Sequence, residues 1–490
     1  MLLMLVCAGF TSPLYPHYTG QDSSIFLVIA RGIINGKVPY RDLFDHKGPV
    51  FYWMEALGCF FGDRTGVFVI QCLLLGLDLA MIDRISALFD GDFPAAAFSF
   101  ASVFFILFQH GNLTEEFSTP FVFLALFHEL RFLKSEEKKH PPENGFLYGL
   151  ILGILAFIRL NNAVVVCALL LCIAITLAAD KQWGNLLANA GLGILGLAAV
   201  TLPVCLYYYS QGALYDMLYG TFLKNFLYAR DNAHISVFQA PLFYFCLFLP
   251  GICSFAVFLR KWKEERNRVY LSLMTAVVLT WGMLSYTNSY VHYFMLGIPL
   301  FTTAAAVSGQ DIRALYTYLK ETLFPKEGKK ERDADKAGRA PGLRKGCAVF
   351  LLIVTVLYAG NAACMACAPI YKTYLTDIAR DEYEKVQTAV SVIPPEERDS
   401  CIAYNVIANF YYHSDIIPCC RFFALQKWMS TDLVDADREF MDFLKREHPL
   451  WVVLNFYGKD KEVVDILSEN YSVVYYDELY LICRYTGPGA

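Results

Sequence analysis

GQDSSIFLVIARGIINGKVPYRDLFDHKGPVFYW, residues 20–53, is the stretch in which charged residues, glycine and proline are concentrated between two strongly apolar regions. After Asp22, apolar residues recur at helical spacing, which predicts a short helix that ends near Gly36. The charges of Asp22, Arg31 and Lys37 would interrupt a membrane span. The pattern therefore favours an amphipathic helix at the membrane surface.

The second part of this stretch is a dense cluster of charged residues, which consists of Arg41, Asp42, Asp45, His46 and Lys47. A solvated loop would have the same composition, so the cluster alone leaves open both an exposed connection and a functional site. Gly48 and Pro49 then open an apolar helix. Its first segment, residues 49–62, is too short to span a bilayer upright and is expected along the membrane surface or dipping into it.

The composition of the 490-residue chain is that of a polytopic membrane protein. Hydrophobic residues make up 56% and charged residues 18%, and the mean hydropathy is +0.40, more than the core of a soluble protein requires. The net charge of -5 leaves no electrostatic footprint for nucleic acid. The 15 cysteines form no Cys/His cluster at zinc spacing. No metal site or cofactor is implied, and a divalent metal is not indicated.

Apolar runs after residue 65 predict a series of membrane spans. They are residues 66–87, 93–110, 114–133, 145–162, 163–179, 186–209, 239–259, 269–287, 291–308 and 346–368. Residues 1–12 are also apolar, but they would form only about 18 Å of helix against a hydrocarbon core of about 30 Å. We therefore expect a first span whose beginning is missing, which makes about eleven crossings.

Lys and Arg are concentrated in three connections, which predicts that these connections face the cytoplasm. They are residues 131–139, 260–268 and 309–345, the last of which is a polar linker. The loop 13–65, the turn near Arg159, the segment 210–238 and the turn 286–292 then face the outer side. The charged cluster of the opening stretch is therefore expected outside.

Beyond Ala368 the composition changes to that of an α/β domain, residues 369–490, which the topology places outside. SCIAYN, WVVLN and YLICRY are typical of strands, and REFMDFLKREH is typical of a helix. The domain contains no nucleophile elbow or phosphate loop, so we interpret it as an acceptor-binding or structural module. Its cysteines leave both disulfides and free thiols open; they are Cys401, Cys419, Cys420 and Cys483.

The predicted fold class is therefore mainly α, a polytopic transmembrane helical bundle followed by a C-terminal extracytoplasmic α/β domain. Charged groups beside spans are costly and invite a functional hypothesis. Glu115 and Glu116 begin the span after an outward turn. Their alternative role is structural, with Thr114 as the N-cap and the two acids at the positive end of the helix.

Arg159, His292 and Tyr293 lie at other outward turns. Lipid headgroups or free helix carbonyls would account for Arg159 without a function. An aromatic belt at the membrane interface would account for Tyr293, but not for the histidine. Lys47, Arg159 and His292 lie on different segments and have no obvious partner in the sequence. They are expected to converge on one anion, most simply a phosphate at the membrane surface.

One ordered set of residues carries a family resemblance. It consists of Asp22, then Tyr40, Asp42, Asp45, His46, Lys47 and Pro49 in YRDLFDHKGP, then Tyr52, Trp53, Ala56, Leu57 and Gly58. The order resembles that of the C-type integral-membrane glycosyltransferases, especially the bacterial aminoarabinose-transferase and protein O-mannosyltransferase-like group. Three further segments have a weaker similarity to the bacterial members; they are TEEFSTPF (114–121), FIRLNN (157–162) and HYFMLGIP (292–299). The chain departs from many relatives in having Ser23, not a second acid, after Asp22.

Members of this family transfer a sugar from a polyprenyl-phosphate carrier to an acceptor on the outer face, usually with inversion. The resemblance implies that residues 1–368 form a transmembrane glycosyltransferase domain in a bacterial plasma membrane, with residues 13–65 as its catalytic loop. It implies Asp22 as the general base and Lys47 as the cation on the lipid phosphate. The other residues predicted to bind substrate are Asp45, His46, Glu115, Glu116, Arg159, His292 and Tyr293. The implied partners are a polyprenyl-phosphate sugar donor, membrane lipids and an unidentified cell-envelope acceptor.

Two other classes of protein stay open. A transporter or flippase for a lipid-linked or cell-envelope substrate is expected to have repeated halves with broken spans that meet at mid-membrane. In this chain the polar residues cluster at one face instead. A non-catalytic scaffold would not need Asp22, Lys47, Arg159 and His292 on the same side.

Overall fold

A computed structural model of the chain describes residues 1–135, 137–231, 241–286, 290–314, 317, 342–431, 433–455 and 460–487. Residues 318–341 of the predicted linker lie outside these ranges. Helices predominate up to residue 375. They are α1 (Leu2–Ala8), α2 (Gln21–Ile34), α3 (Pro49–Leu88), α4 (Phe93–Leu107), α5 (Thr114–Lys134), α6 (Pro142–Ile158), α7 (Val164–Ala179), α8 (Trp183–Ser210), α9 (Leu214–Leu218), α10 (Lys224–Asp231), α11 (Pro241–Glu265), α12 (Arg268–Tyr286), α13 (Ile298–Val307) and α14 (Gly342–Ile370). A 3-10 turn precedes α7 at Leu160–Ala163, and another precedes α13 at Val291–Gly297.

Five helical segments within the described ranges are long and apolar enough to cross a membrane. They are Pro49–Leu88, Leu160–Ala179, Trp183–Ser210, Arg268–Ser285 and Val349–Leu375. Shorter apolar helices coincide with three more of the predicted spans; they are Phe93–Leu107, Pro142–Ile158 and Val291–Val307. The chain is a multi-pass membrane protein, as its composition predicted. The total of eleven crossings stays a prediction.

Helix α3 is broken at Gly62 and Asp63, where the backbone leaves the helical conformation. The two halves then pack closely, because a Cβ added to Gly66 would lie only 2.0 Å from the Gly58 carbonyl oxygen. Residues 49–62 therefore form a helix distinct from the following span, which confirms that part of the prediction.

Helix α2 confirms the predicted helix of the opening stretch, and Gly36 follows it with φ +82°. Its position at a membrane surface stays a prediction. Its residues 23–30 are all buried, because α3 covers one side and the C-terminal part of the chain covers another. Arg31 joins these layers, since its guanidinium binds Asp63 at 2.8 Å and Asp415 at 2.8 Å.

The C-terminal part of the chain contains a four-stranded sheet with strand order β1-β2-β4-β3. The strands are β1 (Cys401–Tyr404), β2 (Trp451–Asn455), β3 (Tyr471–Tyr476) and β4 (Tyr480–Tyr485), and the helices around them are α15 (Ile378–Val390), α16 (Asn409–Ser414), α17 (Gln426–Met429), α18 (Ala436–Glu447) and α19 (Lys461–Asn470). Strands β1 and β2 are parallel, and the other two pairs are antiparallel. The three predicted strands and the predicted helix are confirmed. Strand β3 was not predicted, because a short apolar run has no decisive periodicity.

The apolar core of this domain is continuous with α2, with the loop that follows it and with the start of α3. The domain is therefore packed onto the opening stretch of the chain. The predicted boundary at residue 368 falls within helix α14, which continues to Ile370. The four cysteines of the domain are free thiols in this structure.

Candidate active site

A cavity of about 330 Å³ lies where α2, the charged loop, two turns at helix ends and the C-terminal domain meet. Its walls consist of Gln21, Asp22, Ile25, His46, Lys47, Arg159, Tyr290, His292, Tyr293, Ala424, Leu425 and Trp428. Six of the residues predicted from the sequence thus line one cavity, although they come from four separate segments of the chain.

Asp22 is the second residue of α2, and its side chain is exposed in the cavity. The N-cap of this helix is Gly20, and no side chain caps it. Asp22 therefore does not cap this helix. Within the described residues its carboxylate has no hydrogen bond or ion pair, although it interacts electrostatically with Arg159 and His292. Its oxygen lone pairs are available to a ligand.

Lys47 is held by a chain of polar contacts at the wall of the cavity. Its Nζ lies 3.2 Å from His46 Nε2 and 3.9 Å from Asp45 Oδ2. His46 Nδ1 lies 3.0 Å from Asp45 Oδ1, and the Tyr52 hydroxyl donates to Asp45 Oδ2 at 2.6 Å. The ammonium group is thus oriented by groups that are almost completely buried.

The protonation of this chain of contacts follows from its charges. Burial raises the pKa of Asp45, but the Lys47 charge and the hydrogen bonds from His46 and Tyr52 outweigh burial, so the pKa lies below its usual range. Burial and the Lys47 charge lower the pKa of His46 to about 4. At neutral pH a neutral His46 therefore donates from Nδ1 to the Asp45 carboxylate, and its Nε2 accepts from Lys47.

Gly48 allows the charged loop to approach the end of α6. Its amide donates to the Ile158 carbonyl at 2.8 Å. A Cβ added to this glycine would lie 2.0 Å from the Phe157 carbonyl oxygen, so a larger residue does not fit. This contact brings Lys47 to the same cavity as Arg159, the residue that ends α6.

Arg159 is 5% exposed and is held on two sides. Its Nη1 donates to Glu115 Oε1 at 3.1 Å, and its Nη2 donates to the Tyr293 hydroxyl. The second oxygen of Glu115 accepts from the Thr114 hydroxyl at 3.0 Å. Arg159 therefore has protein partners, and neither a headgroup nor free helix carbonyls are needed to account for its charge.

His292 completes this side of the cavity. Its Nδ1 lies 3.1 Å from the amide oxygen of Gln109, which can only accept, so Nδ1 carries the proton. Its ring packs edge-on against Tyr293 at 4.8 Å between centroids. In the neutral ring Nε2 is then an acceptor. This geometry selects one tautomer of the histidine.

Three predicted substrate-binding residues do not line the cavity. Asp45 and Glu115 lie behind it and orient Lys47 and Arg159. Glu116 lies farther away, where it accepts from Gln71 Nε2 at 2.8 Å and from the Asn112 amide at 2.9 Å. Its carboxylate also accepts from the backbone amide of Leu113, the N-cap of α5, at 3.5 Å. Direct contact of these three with substrate stays a prediction; the contacts in this structure support Lys47, Arg159 and the start of α5.

The expected N-cap of α5 needs correction, and the partners of the cations are a new observation. The N-cap of α5 is Leu113, one residue before the predicted Thr114. The sequence shows no obvious partner for the cations at the cavity, and the structure supplies two of them, since Lys47 lies beside Asp45 and Arg159 is paired with Glu115. Buried charges need such partners, because an unpaired buried ion is strongly destabilising.

Residues of the C-terminal domain at this cavity were not predicted. Trp428 is 38% exposed, and its ring lies 5.2 Å from that of His46. Lys224 Nζ lies 5.8 Å from the Trp428 ring centroid. Leu425, which precedes helix α17, has the left-handed φ of 50° that is unusual for a bulky residue. The only signal in the sequence was the position of the domain on the same predicted side.

Among the described residues, no group of three or more His, Cys, Asp or Glu side chains is arranged as it would be around a metal ion. No family model matches the chain, and no curated protein is significantly similar to it in sequence.

Solved structures share the fold over nearly the whole chain. ArnT from Cupriavidus metallidurans bound to undecaprenyl phosphate superimposes with a TM-score of 0.60 at 12% identity, covering 98% of this chain and 96% of that chain. The apo state of the same protein has a TM-score of 0.57 at 12% identity, with 98% and 95% covered.

The archaeal oligosaccharyltransferase AglB from Archaeoglobus fulgidus, in complex with an inhibitory peptide and a dolichol-phosphate, is similar with a TM-score of 0.52 at 13% identity. This likeness covers 100% of this chain and 73% of that chain. At such low identity the likeness is one of fold. The chain therefore has the fold of the C-type integral-membrane glycosyltransferases, a transmembrane helical bundle with a C-terminal α/β domain, which confirms the fold that the sequence resemblance implied.

Proposed function

We propose that the protein is a membrane glycosyltransferase that moves a sugar from a polyprenyl-phosphate carrier to an acceptor at the cell envelope, with inversion. The observation that carries the proposal is the single cavity in which the unpaired carboxylate of Asp22 faces the same space as Lys47 and Arg159. A carboxylate accepts a proton, and fixed cations stabilise charge on a departing phosphate.

In the proposed reaction the acceptor hydroxyl attacks the anomeric carbon of the donor sugar. Asp22 takes the hydroxyl proton while the new carbon–oxygen bond forms. The bond between the anomeric carbon and the phosphate oxygen breaks, and its electron pair leaves with the polyprenyl phosphate. A single displacement of this kind inverts the anomeric centre.

The cations act on the leaving group. Asp45 and His46 orient Lys47, and Glu115 and Tyr293 orient Arg159. Pre-oriented cations do not have to reorganise as the phosphate gains charge, so more of their interaction energy stabilises the transition state and lowers the activation free energy. The proposed site therefore combines one free base with two fixed cations.

The polyprenyl donor is supported by two of the solved structures that share the fold. The Cupriavidus protein was crystallised with undecaprenyl phosphate, and the Archaeoglobus protein was solved with a dolichol-phosphate. Both ligands are polyprenyl phosphates. For this chain the sugar and the acceptor are left unassigned.

The C-terminal domain is proposed to help bind the acceptor or the sugar, because Trp428 contributes an aromatic face to the cavity. We also propose that this domain and the cavity face the outside, since the basic connections lie on the other side of the predicted topology. Cysteine labelling in intact cells, in a cysteine-depleted background, tests this orientation. An impermeant reagent should modify a cysteine at position 430 and not one at 329.

The function is tested by deleting the gene and comparing the surface glycans of the two strains by mass spectrometry. The proposal expects one glycan modification to be lost and restored by the wild-type gene. A transporter would also lose a surface product, but it would not need a proton acceptor. Purified protein distinguishes the two, because only a transferase converts the lipid-linked sugar to glycosylated acceptor in detergent without a membrane.

A further inference from the structure

Two further cavities lie along α6 toward its first residue, Pro142, which is roughly 25 Å from Arg159 by the length of this helix. The first is an apolar groove of about 310 Å³ between α6, α7 and α8. The second, of about 640 Å³, is polar and lies beside the connections 137–143 and 181–185. His140 lines both, so the two cavities adjoin at this residue.

Glycines produce the shape of the groove. A Cβ on Gly149 would lie 1.8 Å from the Gly193 carbonyl oxygen, and one on Gly196 would lie 2.0 Å from the Phe146 carbonyl oxygen. Helices α6 and α8 are therefore in backbone contact, and α7 supplies the other wall of the groove through residues such as Leu177. Only 11% of the α8 span is buried within the protein, so most of this helix lies at the protein surface. An open apolar groove at this place is accessible to an acyl chain.

The polar end is built around His140, which is 1% exposed. Its Nδ1 lies 2.6 Å from Asn189 Oδ1, while Asn189 Nδ2 donates to the carbonyls of His140 and Asn185. The amide orientation thus assigns the proton to Nδ1. His140 Nε2 is then an acceptor, and it has no partner within the described residues. A buried acceptor without a partner requires an explanation, and one on a residue that lines a cavity can accept from a bound donor.

The charges around the polar cavity are balanced. Lys139 and Lys181 line it together with Glu137 and Glu143, and Trp183 also lines it. Lysine and tryptophan are typical of the membrane–water interface. Two cations and two anions favour a headgroup that carries both a phosphate and an ammonium group over a headgroup that carries only negative charge.

We propose that this site binds a glycerophospholipid with an aminated headgroup, of the phosphatidylethanolamine type. One acyl chain lies in the groove between α6, α7 and α8. The phosphate contacts Lys139 and Lys181. The ammonium group lies among Glu137, Glu143 and His140, whose Nε2 is the acceptor. The lipid fastens the three helices at the end remote from the candidate active site, and this inference does not depend on the proposed function.

The test is native mass spectrometry of the full-length protein, reconstituted with equal amounts of phosphatidylethanolamine and phosphatidylglycerol and released from detergent micelles. Ala190→Trp fills the groove, because Ala190 lines it. Ala188→Trp is the matched control, since Ala188 is exposed on the same helix and does not line the groove. We expect retained phosphatidylethanolamine to fall about tenfold in the first variant, because the indole occupies space that the acyl chain needs, and to be unchanged in the second.

A second pair of variants keeps the test decisive if the groove variant does not fold. Lys139→Glu changes a residue of the polar cavity, and Lys138→Glu changes its exposed neighbour, which does not line it. Only the first should lose phosphatidylethanolamine. Equal lipid retention within either matched pair would overturn the proposal. Retention of phosphatidylglycerol at the level of phosphatidylethanolamine by the wild-type protein would overturn the assignment of the headgroup.

Discussion

The sharpest prediction concerns Asp22→Asn, which keeps the shape of the side chain and removes its charge. Asp22 does not cap its helix, is exposed in the cavity and has no hydrogen bond within the described residues. The free energy of unfolding should therefore change by less than about 0.5 kcal/mol, as for other surface positions. Turnover should fall about 100-fold or more, the usual effect of losing a general base, which corresponds to about 2.7 kcal/mol of activation free energy.

The assay combines activity and stability. The variant gene is expressed at a limiting level in a strain without the wild-type gene, and the rate at which the glycan modification reappears is followed by mass spectrometry. The thermal unfolding temperature of the purified variant is measured in parallel. Asp83→Asn is the matched control, because Asp83 is an exposed carboxylate of helix α3 away from the cavity. It should leave both activity and unfolding temperature unchanged.

Near-normal transfer by Asp22→Asn would refute its role as the base. By sequence, Glu115 or Glu116 would be the next candidate for the general base. Neither carboxylate could take that role unless its present hydrogen bonds were broken. The first is paired with Arg159, and the second is bonded to Gln71 and to backbone amides. A loss of activity accompanied by an equal loss of folded protein would also refute the reasoning.

Four further predictions follow from the same contacts. Lys47→Ala should weaken binding of the lipid-linked donor by about 2 to 3 kcal/mol, the loss of a charge-assisted hydrogen bond; unchanged binding by correctly inserted protein would remove the lysine from the site. Gly48→Ala should lower transfer as strongly as Lys47→Ala does, because the added Cβ displaces the loop from α6, and a normal rate would contradict the close approach. The pKa of His46 is lowered to about 4 in the folded protein but is about 6.5 in the unfolded protein. Because the unfolded state takes up the proton at the higher pH, the free energy of unfolding falls as the pH drops from about 6.5 to 4. His46→Gln should flatten that part of the plot of unfolding temperature against pH. Arg31→Ala should lower the free energy of unfolding by about 2 kcal/mol, since it loses partly exposed charged hydrogen bonds to Asp63 and the C-terminal domain. Limited proteolysis should then cleave the junction between the transmembrane and C-terminal domains faster.

Much of the local structure could be predicted from the sequence. The helix after Asp22, the break before residue 63, the strands β1, β2 and β4 and the multi-pass character all follow from periodicity and composition, because these properties are local. The family resemblance implied the fold, and the solved structures confirm it. The convergence of Lys47, Arg159 and His292 was also anticipated, since all three were expected on one side of the membrane.

Only the tertiary structure decided how these charges are satisfied. Glu115 and Glu116 are adjacent and look equivalent in the sequence, but one binds Arg159, 44 residues away, and the other binds Gln71, 45 residues away. Helix α2 has the charge pattern of a surface helix, yet the C-terminal domain covers it, and the same domain brings Trp428 beside His46. Periodicity tells which face of an element is apolar. It does not tell which distant segment covers that face or which buried ion pairs with which, because those choices depend on contacts between segments far apart in the chain.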